Sequence, residues 1–208
     1  MSDGGYIGPP RSPATRLVHI GRDTRRAGPV NPPAVAASTY LQPSMAALRT
    51  AEAERNVGKR TFSYGRRGGL TGALLEDTLT EIEAGANTRL TSSGLAANVL
   101  VFQSLLKPGD HVILADGVYA PVRRYCDKVL VPNGIEVSYC QADASDLPEH
   151  LQTNTRLVYL ENPGSVLFEI ADLPTVAKTA HAAGAKVAVD NTWGAGLLYS
   201  PLALGADI

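Results

Sequence analysis

Cysteine is scarce in this sequence, with Cys126 and Cys140 as the only two among 208 residues. Two cysteines in a chain of this length do not make a disulfide framework, and they favour a reducing compartment with two free, packed thiols. The four histidines lie in unrelated contexts without a nearby nucleophile or metal-ligating partner. These absences argue against a disulfide-stapled protein, a Ser-His-Asp or Cys-His catalytic set, and a zinc site.

The sequence has neither a large excess of one charge nor a long apolar run. The chain has 19 basic and 20 acidic side chains, a formal net charge of -1, so no field attracts nucleic acid or an anionic membrane. No apolar run approaches the roughly 20 residues of a membrane span, and the first residues do not have the pattern of a signal peptide. We therefore expect a cytoplasmic protein without a nucleic-acid or membrane partner.

Proline and the hydrophobic residues divide the chain into two parts. Hydrophobic residues make up 44% of the chain, enough for a sizeable core. Residues 1–42 are rich in proline and lack a helical or strand period, which predicts an extended arm. A short helix follows over Met45–Glu54. We place the arm and this helix in residues 1–60, and an α/β domain in residues 61–208 that begins with a helix over Leu70–Glu83.

From residue 86 onward, short β-rich runs alternate with helical runs. The β-rich runs are Thr88–Thr91, His111–Ala115, Ile135–Tyr139, Leu157–Leu160 and Val187–Val189, and the helical runs are Leu95–Leu106, Val122–Val131, Asp146–Leu151 and Leu173–Ala183. This alternation predicts a mostly parallel sheet with helices on both faces. Because such sheets bind ligands at the carboxyl ends of their strands, the residues just after each run are the candidates for a site.

The segment Thr91–Gly94 lies where a β-rich run gives way to a helix. Free backbone N–H groups and hydroxyls at the positive end of a helix suit a phosphate group. An ordinary helix N-cap explains the same residues and is the commoner case, because serine and threonine are preferred there whatever the function. The segment alone leaves both interpretations open.

Asp190 and Tyr119 also follow β-rich runs. Asp190 places a carboxylate in apolar surroundings, where a charge needs a partner. That partner is either a backbone cap or a structural arginine, or else the protonated ring nitrogen of a pyridine cofactor. Tyr119 either fills the core or stacks on a flat ring. Neither residue decides between the alternatives by itself.

Tyr64 and Arg66 lie in a polar, glycine-rich stretch, Tyr64–Gly69. A solvated surface is the usual explanation for adjacent arginines such as Arg66 and Arg67. The alternative is a phenol and a guanidinium that bind one phosphate together, since arginine offers a planar pair of donors. Because the stretch precedes the alternating strands and helices, it could reach the site of a neighbouring subunit.

Jointly, these residues resemble the Cys/Met metabolism family of pyridoxal-phosphate enzymes. The resemblance spans essentially the whole chain, through Thr15–His19, Tyr64–Gly68, Ser93–Gly94, Tyr119, Glu161–Ser165 and Asp190–Trp193. It implies an aspartate-aminotransferase-type fold (fold type I), with a large cofactor domain preceded by the arm. It also implies pyridoxal 5′-phosphate as the cofactor, a small amino-acid substrate, and a homo-oligomer, in this family typically a homotetramer.

The family's phosphate-binding roles carry over to five positions. Tyr64 and Arg66 correspond to the Tyr-x-Arg motif, whose side chains bind the cofactor phosphate of the adjacent subunit. Ser93 and Gly94 correspond to the Ser-Gly turn, which binds the same phosphate through backbone N–H groups, including that of the next residue, Leu95. The family more often has methionine or an alanine-like residue at that last position, and a backbone contact tolerates the leucine.

The remaining roles concern the cofactor ring and the reaction. Tyr119 corresponds to the stacking tyrosine, and Asp190 to the aspartate that pairs with the pyridinium nitrogen. The motifs Tyr-Gly-Arg-Arg-Gly and Asp-Asn-Thr-Trp are most similar to the cystathionine β-lyase branch, whereas Glu161-Asn162-Pro163 departs from the Glu-Ser-Pro usual there. This implies β-elimination of cystathionine or a cysteine S-conjugate to homocysteine or another thiol, pyruvate and ammonia. A γ-synthase or γ-lyase on the same scaffold, or a non-catalytic product, are the alternatives.

The resemblance places the family's Schiff-base lysine in a Ser-x-Thr-Lys motif shortly beyond Ile208. None of the chain's own lysines lies in such a motif: Lys59, Lys107, Lys128, Lys178 and Lys186. We therefore expect a truncated cofactor domain with no catalytic residue in the chain itself, and a fragment that is inactive alone.

Overall fold

The computed structural model of this chain describes residues 12–20 and 27–208, which fall into two units. The first unit takes the described residues up to Ile82 together with Ala86–Arg89, and the second takes Glu83–Gly85 and Leu90–Ile208. The domain boundary expected at residue 60 stays a prediction. No helix in the described ranges is long and apolar enough to cross a membrane.

Three α-helices form most of the regular structure among the described residues of the first unit, which also has a 3₁₀ turn at Gly65–Arg67. They are α1 (Pro13–Leu17), α2 (Met45–Asn56) and α3 (Leu70–Ile82). The predicted arm lies partly outside the described residues, at 1–11 and 21–26, and residues 27–42 are mostly irregular. The short helix α1 was not predicted. It forms because the Ser12 side chain accepts a hydrogen bond from the N–H of Thr15 and Pro13 occupies the first helical position.

The second unit contains a sheet of four strands. They are β1 (His111–Ala115), β2 (Glu136–Cys140), β3 (Thr155–Glu161) and β4 (Lys186–Asp190). Their order across the sheet is β2-β1-β3-β4, and all neighbouring strands run parallel. The predicted α/β fold with a parallel sheet is therefore confirmed, and the carboxyl ends of all four strands lie at one edge.

One helix precedes β1, and three further helices lie between successive strands. They are α4 (Gly94–Leu105), α5 (Ala120–Tyr125), α6 (Leu147–His150) and α7 (Leu173–Ala182). The helical run predicted over Val122–Val131 is less regular than expected, because α5 passes into a π-helical turn at Cys126–Leu130 and a 3₁₀ turn at Val131–Asn133. The chain then turns at Gly134, whose φ of 79° is a conformation that favours glycine.

The strand predicted over Thr88–Thr91 is wrong, because these residues are irregular in the structure. Two threonines and a leucine among its four residues, Thr88-Arg89-Leu90-Thr91, give the segment a strand-like composition. A strand also needs a neighbouring strand to take its backbone hydrogen bonds, and composition carries no information on that partner. The same segment crosses the boundary between the two units.

The core of the second unit surrounds the middle strands. All residues of β1 are buried, as expected for a strand covered on both faces. Helix α4 contributes Phe102, whose ring centroid lies 5.0 Å from that of Tyr159 on β3. Cys126 and Cys140 are both buried free thiols, and burial raises the pKa of each to about 12. Both cysteines are therefore unreactive packing residues.

The amino edge of the sheet also buries polar groups. His111 begins β1 and is fully buried. Its Nδ1 lies 2.8 Å from the hydroxyl of Thr155, and its Nε2 lies 2.9 Å from the hydroxyl of Ser138. Burial lowers the pKa of His111. One neutral imidazole thus joins β1 to both of its neighbours in the sheet.

Candidate functional site

Asp190 ends β4 at the carboxyl edge, in register with Glu161 at the end of β3. Its Oδ1 accepts hydrogen bonds from the backbone N–H and the hydroxyl of Thr192, at 3.1 and 2.6 Å. Its Oδ2 accepts one from the side-chain amide of Asn98, at 3.0 Å. Since a carboxylate has about four lone-pair sites, the three donors among the described residues leave one site on Oδ2 for a further donor.

Asn98 was missed by the sequence reasoning. Helix α4 is largely apolar, and its buried residues are Asn98 and Phe102. A buried amide is stable only when it is hydrogen-bonded, and Asp190 provides the acceptor. The signal was present in the sequence: an asparagine stands one helical turn after Gly94, among residues that otherwise predict an apolar helix face. Its partner lies 92 positions away along the chain.

The first turn of α4 is open and carries free donors. Ser93 is the N-cap, and its Oγ accepts a hydrogen bond from the N–H of Ala96 at 3.2 Å. The N–H groups of Gly94 and Leu95 have no acceptor among the described residues. A Cβ built on Gly94 would meet no atom within 4 Å. These are the properties of an anion site, and the role of the turn as a phosphate cradle stays a prediction.

Tyr119 precedes α5 at the same edge. The residue is 46% exposed, so part of its surface is available to a ligand, and an aromatic ring can stack on a flat group. Its backbone N–H donates to Oε2 of Glu161 at 2.7 Å. Glu161 is buried, and this burial raises its pKa, while the Tyr119 N–H opposes the rise and the charge of Asp190 adds to it. Glu161, to which the sequence assigned no individual role, therefore anchors the backbone that carries the exposed ring.

Two buried polar atoms near this edge lack a hydrogen-bond partner in the part of the chain that is described. They are the hydroxyl of Tyr159 and Oδ1 of Asn191. Burial, and after it the charge of Asp190, raises the pKa of Tyr159 well above its ordinary value. The hydroxyl therefore keeps its proton beside a carboxylate. Unmatched buried polar atoms are uncommon in native proteins, and functional sites are one place where they occur.

Tyr64 and Arg66 belong to the first unit. Tyr64 forms an antiparallel bridge with Thr39, and the guanidinium of Arg66 lies 5.3 Å from the centroid of the Tyr64 ring. A Cβ on Gly65 would overlap the carbonyl oxygen of Ala37, which explains why a glycine separates the tyrosine from the arginine. The phenol and the guanidinium are thus side by side and exposed. Their action on a neighbouring subunit stays a prediction.

The second unit brings five of the predicted site residues to the carboxyl edge of its sheet: Ser93, Gly94, Leu95, Tyr119 and Asp190. Helix α4 joins the Ser93–Leu95 turn to Asp190. Gly94 begins the helix, and Asn98, one turn or about 6 Å further along its axis, donates a hydrogen bond to Asp190. Within the described ranges, no group of three or more histidine, cysteine or acidic side chains could hold a metal ion.

Known proteins share both the sequence pattern and the fold. The family described as Cys/Met metabolism PLP-dependent enzyme matches residues 14–208. The chain belongs to this family. The cystathionine β-lyase of Bordetella avium is 43% identical over 199 residues, which cover 93% of this chain and 50% of that protein. A cystathionine γ-synthase of Mycobacterium tuberculosis is 37% identical over 198 residues, covering 94% of this chain and 48% of that protein.

The fold comparison gives the same result. The crystal structure of metB from Corynebacterium glutamicum matches with a TM-score of 0.84 and 31% identity, covering 94% of this chain and 49% of that one. The Cys/Met metabolism chain described here therefore has the fold type I architecture expected from its motifs. It spans about half the length of the curated relatives it matches.

Pyridoxal phosphate is the cofactor of the family, and the carboxyl edge fits it. The open first turn of α4 offers the two free N–H groups of Gly94 and Leu95 for the phosphate. Oδ2 of Asp190 keeps one lone-pair site for a ring N–H. The exposed ring of Tyr119 offers a flat surface. Pyridoxal phosphate has a matching group for each of these: a phosphate, a ring nitrogen that can carry a proton, and a flat aromatic ring.

Proposed function

We propose that the gene product containing this chain is a pyridoxal-phosphate-dependent carbon–sulfur lyase. Its reaction is β-elimination of cystathionine, which gives homocysteine, pyruvate and ammonia. The observation that carries the proposal is the carboxylate of Asp190, which keeps one acceptor site on Oδ2 close to the free N–H groups at the start of α4. The choice of β-elimination is supported by the 43% identity to a cystathionine β-lyase.

Bound pyridoxal phosphate supplies an electron sink for the charge that develops at Cα when the α-proton leaves. In the proposal, Asp190 accepts a hydrogen bond from the ring nitrogen and keeps that nitrogen protonated, because a nearby negative charge favours the cationic form. Ser93, Gly94 and Leu95 hold the phosphate at the helix end, and the ring of Tyr119 stacks on the pyridine. In this proposal Asp190 holds the ring nitrogen of the cofactor, and the start of α4 holds its phosphate.

A γ-synthase or γ-lyase is the second candidate, supported by the 37% identity to a cystathionine γ-synthase and by the departure at Glu161-Asn162-Pro163. The reaction product separates the two. The purified gene product is incubated with cystathionine, and the 2-oxo acid released is identified by chromatography. Pyruvate supports β-elimination, whereas 2-oxobutyrate as the main product would replace it with a γ-elimination.

We propose further that the protein is a homo-oligomer in which Tyr64 and Arg66 complete a neighbour's site. This explains an exposed phenol and guanidinium held side by side. Mixed oligomers test it: Arg66→Ala subunits, which bind the cofactor weakly, are combined with Asp190→Asn subunits, which turn over slowly, at a cofactor concentration too low to load the Arg66→Ala protein alone. If Arg66 acts on the neighbour, some mixed sites contain both intact residues and activity returns. If both residues serve the same subunit, every site carries a defect and mixing restores nothing.

A non-catalytic product is the remaining alternative. We expect residues 1–208 alone to form no covalent adduct with pyridoxal phosphate, since none of the five lysines lies in the family's motif. The test is borohydride reduction after addition of the cofactor, followed by intact mass measurement. A stoichiometric adduct at one lysine, together with pyruvate release from cystathionine, would show that the chain carries its own catalytic lysine.

A further inference from the structure

Asn98 is the residue that ties Asp190 to a different element of the fold. The Thr192 donors are two residues along the chain, so they turn with the end of β4. The Asn98 amide comes from α4 and donates to Oδ2 at 3.0 Å, from a side chain that is 8% exposed. A hydrogen bond to a charged, part-buried carboxylate is among the stronger kinds. We propose that Asn98 is a positioning residue that fixes Oδ2 of Asp190 for the cofactor ring.

This inference rests on the proposed function and adds a residue to it. Oδ2 is the oxygen with the remaining lone-pair site, so the donor that fixes Oδ2 also decides where that site points. Asn98 stands one turn after the open Gly94 turn of the same helix. Because an α-helix is stiff over one turn, the amide sets the distance between the phosphate turn and the carboxylate.

The neighbouring residue Tyr159 offers Asp190 an alternative hydrogen-bond partner, so the orientation of Asp190 has to be fixed. Its hydroxyl is buried and forms no hydrogen bond of standard geometry among the described residues. After burial, the charge of Asp190 and a weaker hydrogen-bonding contact with that carboxylate raise the pKa of Tyr159. A carboxylate freed from Asn98 would be able to turn and form a full hydrogen bond with this hydroxyl. Asn98 therefore holds Asp190 in the orientation that serves the ring, against a competing orientation in which Tyr159 takes its place.

Two substitutions in the full gene product test the inference. Asn98→Leu keeps the approximate volume and removes the donor, and we expect about tenfold weaker pyridoxal-phosphate binding at every pH. Asn98→Asp puts a second carboxylate against Asp190. Two carboxylates at this distance share a proton. At low pH the shared proton donates to Asp190 in place of the Asn98 amide, and pyridoxal-phosphate binding stays near normal. As the pH rises the proton leaves, and binding weakens.

The second readout is the NMR resonance of a nitrogen-labelled cofactor ring, which reports ring protonation directly. We expect this resonance to shift in Asn98→Leu, and to acquire a pH titration in Asn98→Asp that the unchanged protein lacks. Gln103→Leu is the matched control. It removes an amide from the same helix, where Gln103 donates to the hydroxyl of Tyr125 at 3.3 Å, and we expect it to change neither readout. Thermal unfolding of each variant identifies any general loss of folding.

Asp190→Asn separates failure of this inference from failure of the proposed function. If Asp190→Asn shifts the ring resonance but both Asn98 variants match the unchanged protein, the positioning role of Asn98 is wrong and the role of Asp190 stands. If Asp190→Asn leaves the resonance unchanged, the proposed function loses its central residue and the inference falls with it. If Asn98→Leu does not fold, the titration in Asn98→Asp still decides.

Discussion

The polar groups at the two edges of the sheet differ in how many hydrogen-bond partners they have within the protein. At the amino edge, both ring nitrogens of His111 meet hydroxyls, and Asp110 accepts the N–H of Lys107 at 3.0 Å. At the carboxyl edge, Asp190 keeps an open acceptor site, Gly94 and Leu95 keep free N–H groups, and the hydroxyl of Tyr159 has no partner among the described residues. The groups at the amino edge satisfy one another, and those at the carboxyl edge are suited to an additional molecule.

Burial of polar groups therefore does not by itself mark a site. His111 is fully buried and Asp190 is only partly buried, yet the role of His111 here is structural. The number of hydrogen-bond partners distinguishes His111 from Asp190, because nearly all buried polar groups in native proteins have partners within the protein or in ordered water, and the exceptions need an explanation such as a ligand or a catalytic role. The following substitutions test this contrast.

The largest effect is expected from Asp190→Asn in the full gene product. A neutral amide cannot keep a ring nitrogen protonated, so turnover at saturating cofactor should fall by about 10²- to 10³-fold, while cofactor affinity falls by at least the roughly tenfold expected for Asn98→Leu. Initial rates of pyruvate release and the visible absorbance of the dialysed protein measure the two quantities. Turnover within a few-fold of normal would remove Asp190 from the mechanism and leave the carboxyl edge without its defining residue.

The next effect concerns the phosphate. Arg66→Ala should weaken cofactor retention by about 10- to 100-fold, since a charge-assisted hydrogen bond to an anion is lost. Arg67→Ala is the matched control, because Arg67 is adjacent and exposed but outside the Tyr-x-Arg motif. Cofactor content after dialysis is the measurement. Equal losses for both variants would indicate a charged surface without a specific phosphate contact.

At the amino edge, His111→Gln should change stability and leave the cofactor affinity unchanged. Loss of the two hydroxyl contacts should lower the free energy of unfolding by about 1–3 kcal/mol. The pH dependence has a defined sign. Burial lowers the pKa of folded His111, so the unfolded chain binds the proton first, and stability falls as the pH drops below about 6.5, by at most about 1.4 kcal/mol per pH unit.

Urea unfolding at several pH values measures this dependence, and the His111→Gln variant should lack that part of the acid-side slope. An unchanged slope in the variant would assign the acid sensitivity to another group. A large drop in cofactor affinity would contradict the structural role of the amino edge, because His111 lies at the opposite end of the strands from Asp190.

The smallest effect is expected from Tyr159→Phe. The ring packs on Phe102 at 5.0 Å and stays in place, whereas the hydroxyl without a partner is removed. Removal of an unsatisfied buried hydroxyl should leave the melting temperature equal or slightly higher. A loss of more than about 1 kcal/mol of unfolding free energy would mean that the hydroxyl already forms a full hydrogen bond.

Local signals in the sequence predicted much of this fold. The run expected over Leu173–Ala183 is the helix Leu173–Ala182, because the Asp172 cap and the apolar face of that helix are both local. Strand ends pointed to Tyr119 and Asp190 as candidates, and the structure places both at one edge of the sheet because a parallel sheet brings its carboxyl ends together; their roles stay predictions. Periodicity and caps are sufficient where the stabilising contacts are close in sequence.

The features that could not be predicted depend on contacts between residues far apart in the sequence. The strand expected at Thr88–Thr91 failed because its formation depends on a neighbouring strand and not on its own residues. The Asn98–Asp190 contact joins residues 92 positions apart, and a single asparagine in an apolar helix does not identify its acceptor. Glu161 was visible as part of a family motif, but its contact with the backbone of Tyr119 became clear only from the three-dimensional arrangement.

The most direct test of the carboxyl edge as the cofactor site is a crystal structure of the full gene product grown with pyridoxal phosphate. We expect the ring nitrogen within hydrogen-bond distance of Oδ2 of Asp190, the phosphate oxygens at the N–H groups of Gly94 and Leu95, and the Asn98 amide still on Oδ2. A cofactor bound away from α4, with Asp190 contacting only Asn98 and Thr192, would contradict the account.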